Sequence, residues 1–162
     1  MNTLKNIIHR EVITIEDSSE LKSAAILMKD HDIGFLVCVN QGKITGVLTD
    51  RDIVIRGAAS SECCQEIKDI MTTEIIKAKE DSSLIEGCEL LAKNNIRRLV
   101  IANGDELVGV VSIGDLLKEG LSDEAAKDAL IEVLKTHNTN NLYKMFDNSN
   151  YMDSVKVDDY KL

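Results

Sequence analysis

The sequence predicts an α/β (α+β) protein: two β-α-β-β-α repeats packed as a pseudo-twofold pair, followed by a C-terminal helix and tail. Three observations carry this prediction. The first is length: 162 residues make one ordinary domain or two small ones packed together. The second is composition: 44% hydrophobic and 29% charged residues is a globular balance, not a disordered one. The third is an internal repeat. GVLTDRD starts at Gly46 and GVVSIGD at Gly109, so the offset (109 minus 46) is 63 residues. The same register, without a gap, pairs Lys5 with Lys68, Ile13 with Ile76, Leu21 with Leu84, Val37 with Val100, Asp52 with Asp115 and Gly57 with Gly120. One matched pair means little. A constant register from Lys5 to Gly57 means duplication.

Each element follows from local pattern. A short β-rich piece opens each copy, EVITI from Glu11 and EIIKA from Glu74. An amphipathic helix comes next. Leu21, Ala24, Ala25 and Met28 recur at three- and four-residue steps in copy one, and Leu84, Gly87, Cys88 and Leu91 repeat that face in copy two. Ser18 or Ser19, and Ser82 or Ser83, are the expected caps, because their hydroxyls reach free N–H groups of the first turn. Two strands follow, GFLVCV and KITGVLT in copy one, RRLVIA and ELVGVVS in copy two. Tight turns at Asn40-Gln41-Gly42-Lys43 and Asn103-Gly104-Asp105 join them. A second helix is expected to start near Asp52 and Asp115. The expected boundaries are 1–60, 61–120 and 121–162. In the last, Ser122-Asp123-Glu124 reads as a helix start ahead of an apolar stripe of Ala126, Leu130, Val133 and Leu134. A repeat of this size buries a modest share of its surface. Two copies gain by packing together, and related clefts between them are where a ligand is expected.

Charge narrows the function. Nineteen Lys and Arg against 28 Asp and Glu give a net charge of −9, which argues against general nucleic-acid or anionic-membrane binding, since both need a basic face. Aromatics are 3% with no Trp, so a pocket must be built from aliphatic side chains and backbone. The start, MNTLKNIIHREV, lacks an apolar core of signal-peptide length. No apolar run approaches the roughly 18 residues of a membrane span. The expected location is the cytoplasm. Cys38 and Cys88 fall in apolar surroundings and read as core residues. Cys63 and Cys64 are adjacent and poorly placed to chelate one metal together. There is no Ser/His/Asp set, phosphate loop or metal cluster, and His9, His31 and His137 are scattered. The expectation is a protein without enzymatic activity that requires no cofactor.

The repeated unit resembles a CBS domain, and the pair resembles a tandem CBS (Bateman) module of the small stand-alone bacterial type. The resemblance spans roughly residues 1 to 120. It is carried by GVLTDRD (46–52), GVVSIGD (109–115), NNIRRLVIA (94–102) and KDIMTTE (68–74). It implies an adenine nucleotide or nucleoside as regulatory ligand (AMP, ADP, ATP or S-adenosylmethionine) in clefts between repeats, and a homodimer formed through helices. It assigns Asp52 and Asp115 to ribose hydroxyls, Thr49 and Ser112 to ribose or phosphate, and Arg97 and Arg98 to phosphate. It also puts backbone near Ile13 and Ile76 beside adenine. Copy one has Gly34-Phe35 where copy two has Arg97-Arg98, so the clefts should differ in phosphate affinity. Copy one also reads NIIHRE where copy two reads DIMTTE, and the chain has no proline.

Each assignment has a plainer counterpart. Asp52 and Asp115 can cap helices. A carboxylate can equally accept from two vicinal ribose hydroxyls, through the stronger, charge-assisted kind of hydrogen bond. Thr49 and Ser112, at strand ends beside a helix start, can help form an anion site or simply cap. Arg97 and Arg98 should point to opposite faces if both lie in a strand. Arg51 is a third cation, either in a weak surface ion pair or in a bidentate phosphate contact. Ile13 and Ile76 are expected core residues of the first strands. The competing overall function is a ligand-free dimeric scaffold that contacts an unidentified protein partner through its C-terminal tail.

Overall fold

The computed structural model describes residues 3–59 and 66–120. The expected tail helix and the Cys63-Cys64 pair lie outside the described residues. The fold is mixed α/β, with two three-stranded sheets ordered β1-β2-β3 and β4-β5-β6. In the first repeat, β1 (Thr14–Glu16), α1 (Leu21–Asp30), β2 (Phe35–Asn40) and β3 (Lys43–Thr49) lead into a short helix, α2 (Asp50–Asp52), continued by a π-helical run, Ile53–Ala58. In the second repeat, β4 (Lys77–Ala78), α3 (Leu84–Asn94), β5 (Arg98–Asn103) and β6 (Glu106–Ser112) lead into α4 (Ile113–Gly120). In each sheet the first strand runs parallel to the second, and the second and third form an antiparallel hairpin.

The hairpins close as the turn residues require. Gln41 (φ 51°) and Gly42 (φ 78°) both take positive φ, which two-residue hairpin loops favour because their twist matches that of the strands. Other local expectations change. The opening strands are shorter than the β-rich pieces, so Ile13 and Ile76 each lie one residue before a strand. Ser83 caps α3, accepting from Glu86 N–H at 3.1 Å. Neither Ser18 nor Ser19 caps α1: Glu20 is the N-cap residue, with no side-chain bond. The Ser19 main chain is used elsewhere, its carbonyl accepting from Ile67 N–H at 2.9 Å. Ala25, expected on the buried face of α1, is exposed, and Leu27 packs on the core instead.

Each repeat lends its leading segment to the other. The 3-10 turn Leu4–Asn6 lies on the second repeat, where Leu4 is fully buried among Leu84, Cys88, Leu91 and Leu116. Burial of a side chain this size stabilises by roughly 1.5–3 kcal/mol. The turn Ile67–Asp69 buries Ile67 and Ile70 in the first repeat's core with Met28, Leu36 and Leu48. The exchange obeys the 63-residue register: Thr3 bridges Ser83 as Glu66 bridges Glu20, and His9 bridges Val110 as Thr72 bridges Val47. A third core joins the two sheets through Val37, Val39, Ile44, Val100, Ala102 and Val110.

Candidate functional site

Each G-h-h-T/S-x-x-D motif runs off the end of a hairpin into a helix and folds there as a capping box. Thr49 is extended (φ −116°, ψ 160°). Its N–H and hydroxyl donate to Asp52 Oδ2 at 2.9 and 2.6 Å, and its Oγ1 accepts from Asp52 N–H at 3.2 Å. Ser112 repeats this with Asp115 at 2.8, 2.5 and 3.3 Å. The capping role of both aspartates is therefore present. It also spends donors expected to face an anion. In the first motif Asp52 N–H is taken by Thr49, and Arg51 N–H donates to Asp50 Oδ1 at 2.7 Å. Positive potential there must come from side chains.

Because the leading segments are exchanged, each motif faces the other repeat's opening strand. Thr49, Arg51 and Asp52 line a cleft of about 730 Å3 with Ile75, Ile76, Ile96, Arg97 and Arg98. Ser112 and Asp115 line a cleft of about 300 Å3 with Val12, Ile13, Ile33 and Phe35. Every residue lining the smaller cleft has its repeat equivalent in the larger one. Arg97 and Arg98 both line the larger cleft, contrary to the alternation expected of strand neighbours. Arg97 precedes β5, so the two-residue period does not apply to it.

The two clefts differ in charge. The larger is lined by Arg51, Arg56, Arg97 and Arg98 against Asp50, Asp52 and Glu74; the smaller carries Arg98 and His9 against Glu11 and Asp115. Arg98 stacks over the Phe35 ring at 5.5 Å. These two residues are equivalents in the 63-residue register, and both line both clefts.

Three participants escaped sequence reasoning. Arg56 lies one turn after Asp52, with Nε 3.6 Å from Asp52 Oδ1, and donates to Ile70 O at 3.0 Å and Thr72 Oγ1 at 3.2 Å. His9, noted only as one of three scattered histidines, places Nε2 2.9 Å from Asp115 Oδ1. Phe35, read only as the counterpart of an arginine, is that arginine's stacking partner. The divergence NIIHRE against DIMTTE was the visible signal for His9; nothing local pointed to its partner. Burial pushes the Asp115 carboxyl up, but the Ser112 hydroxyl, His9 and the Ser112 N–H outweigh it and hold its pKa below the ordinary value. Burial, with the Asp17 and Asp52 charges, raises the Cys38 thiol to about 12, which makes it a core residue rather than a nucleophile. Among the described residues no three His, Cys, Asp or Glu side chains are grouped to hold a metal, and no helix is long and apolar enough to cross a membrane.

This architecture, two exchanged repeats with a capped motif facing each cleft, is that of a CBS-domain pair. The CBS domain family matches residues 4–58 and 67–122, and the chain belongs to it, carrying two copies in tandem. Among its relatives is the CBS domain-containing protein YhcV of Bacillus subtilis, 36% identical over 134 residues, 82% of this chain and 96% of that protein. The CBS domain pair of protein MJ0100, solved in complex with methylthioadenosine and S-adenosyl-L-methionine, is 27% identical with a TM-score of 0.66, covering 73% of this chain and 98% of that one. Hypoxic Response Protein I, solved with two coordinated zinc ions, is 29% identical with a TM-score of 0.66, covering 74% of this chain and 99% of that one. What these proteins share with this chain is the CBS-domain pair.

Proposed function

We propose that this chain is a non-enzymatic regulatory module that binds an adenine nucleotide between its repeats and signals through the ligand-dependent arrangement of the two. The observation that carries this reading is the Thr49–Asp52 cleft. Its volume falls in the range of small-molecule sites, and it combines an aliphatic wall, a hydroxyl–carboxylate pair and four arginines in a chain of net charge −9. In this reading adenine lies between Ile75, Ile76 and Ile96, with main-chain groups reading its edge. Asp52 accepts from the ribose hydroxyls through Oδ1, since Oδ2 is held by Thr49. Arg51, Arg97 and Arg98 take the phosphates, supplying the local attraction an acidic protein otherwise lacks. The complex of MJ0100 with two adenosyl compounds supports the ligand class. The arginines favour AMP, ADP or ATP over S-adenosylmethionine.

The proposed assembly is a cytoplasmic homodimer. Ile26 on α1 and Val54 and Ile55 on the π-helical run are 49%, 61% and 51% exposed, and apolar helix faces of this kind gain by being covered. A ligand shifts the arrangement only through unequal affinity for two states. The test is a thermal-shift series with AMP, ADP, ATP and S-adenosylmethionine. At about 100 times Kd, binding stabilises the fold by ~2.7 kcal/mol, so a rise in Tm is expected. One observation favours a second reading, a ligand-free scaffold acting through the tail after residue 120: in both clefts the motif carboxylate already has protein partners. No shift with any of the four ligands selects that reading.

A further inference from the structure

The two clefts use equivalent positions, yet they are not closed by equivalent residues. Positions 9 and 72 correspond in the 63-residue register, and their backbones are anchored alike. His9 exchanges two main-chain hydrogen bonds with Val110 at 3.0 Å each, and Thr72 exchanges two with Val47 at 2.9 Å each. These anchors leave the side chain at position 9/72 to determine what meets the motif aspartate. In the larger cleft, Thr72 reaches Arg56, and Asp52 Oδ1 has that arginine only at 3.6 Å. In the smaller cleft, His9 sits directly on Asp115 Oδ1 at 2.9 Å while Ser112 holds Oδ2. Both Asp115 oxygens are engaged, and its side chain is 14% exposed.

We infer that His9 is the specificity-determining residue that makes the clefts unequal. Its ring occupies the carboxylate oxygen that a ribose diol needs, so the chain takes one nucleotide, in the Thr49–Asp52 cleft, and the Ser112–Asp115 cleft is latched. This rests on the nucleotide reading proposed above. A ribose entering the smaller cleft must first displace a close contact to a charged acceptor, the stronger class of hydrogen bond. It also finds less room, about 300 against 730 Å3. The register sets Gly114 and Glu119 against Arg51 and Arg56, and neither Gly114 nor Glu119 lines the smaller cleft, so phosphates find less there to offset the displacement.

The test is the stoichiometry of AMP binding, by native mass spectrometry and calorimetry on the full chain. His9→Thr gives the smaller cleft the residue that the larger one carries; His9→Ala removes the ring alone. His9 is 69% exposed, and a melting curve for each variant confirms folding. Expected are one AMP per wild-type chain, two for either His9 variant, and one again when Asp52→Ala is added to His9→Thr. Two AMP on wild type, or still one on both His9 variants, overturns the latch and leaves the nucleotide reading standing. No AMP on wild type but one on the His9 variants upholds the latch and overturns the reading of the larger cleft. No binding to any variant overturns both.

Discussion

Asp115 shows how one side chain serves several ends. Its Oδ2 closes a capping box with Ser112, and its Oδ1 takes His9 from the other repeat's leading segment. Removing such a cap costs about 0.5–2 kcal/mol, so Asp115→Ala should destabilise the fold by that amount in urea unfolding. Because these partners hold the folded pKa below the unfolded one, the associated stability is fully present above the unfolded carboxylate value of about 4. It is lost as pH falls through the lower folded value. Asp115→Asn should therefore flatten the acid limb of the stability curve. A variant curve parallel to wild type down the acid limb would contradict this. At this scale the sequence was legible in part. The dual reading of Asp52 and Asp115 as cap or ligand contact was correct on its capping side, since a carboxylate three residues after a hydroxyl is a local pattern. The His9–Asp115 contact spans 106 positions, and only the fold brings its two ends together.

At the scale of elements, the first glycine of each motif shows why the motif begins as it does. A Cβ on Gly109 would collide with Ile8 Cγ2 and come within 2.6 Å of the His9 carbonyl oxygen. On Gly46 it would come within 2.5 Å of Met71 Sδ and 3.1 Å of the Thr72 carbonyl oxygen. These glycines let the borrowed leading segment lie flat on β3 and β6. Gly109→Ala must push back main chain, whereas Gly46→Ala first meets a flexible thioether. Overpacking of this kind costs about 1–3 kcal/mol, and Gly109→Ala should lie at the upper end, with Gly46→Ala milder in the same denaturant series. Equal costs would argue against the asymmetry. The hairpins, α3 and its Ser83 cap follow from turn residues and 3.6-residue periodicity, which are local signals. The cap of α1 does not, because its N-cap position holds Glu20 where the second repeat has Ser83. Arg97 and Arg98 defeat strand alternation because the strand starts between them, and a boundary shifted by one residue reverses a two-residue period.

At the scale of the molecule, exchange of leading segments places two clefts at equivalent positions, and divergence between the repeats makes them dissimilar. Duplication was readable from a constant register, but not which motif would face which opening strand. Exchange is a tertiary choice that leaves no periodic trace. The exposed Val54 and Ile55 make a further prediction: if they cover a partner's helices, Val54→Lys with Ile55→Glu should shift sedimentation from dimer to monomer while leaving the fold intact. A monomeric wild type would remove the dimer from the proposal. The central claim is nucleotide recognition by the arginine-lined cleft. Calorimetry of AMP and adenosine against wild type and an Arg97→Ala/Arg98→Ala variant tests it most directly. The expected result is AMP binding weakened at least ~10-fold in the variant, about 1.4 kcal/mol, with adenosine affinity little changed. Wild-type protein that gives no heat with AMP, or binds AMP no less tightly without the two arginines, would contradict it.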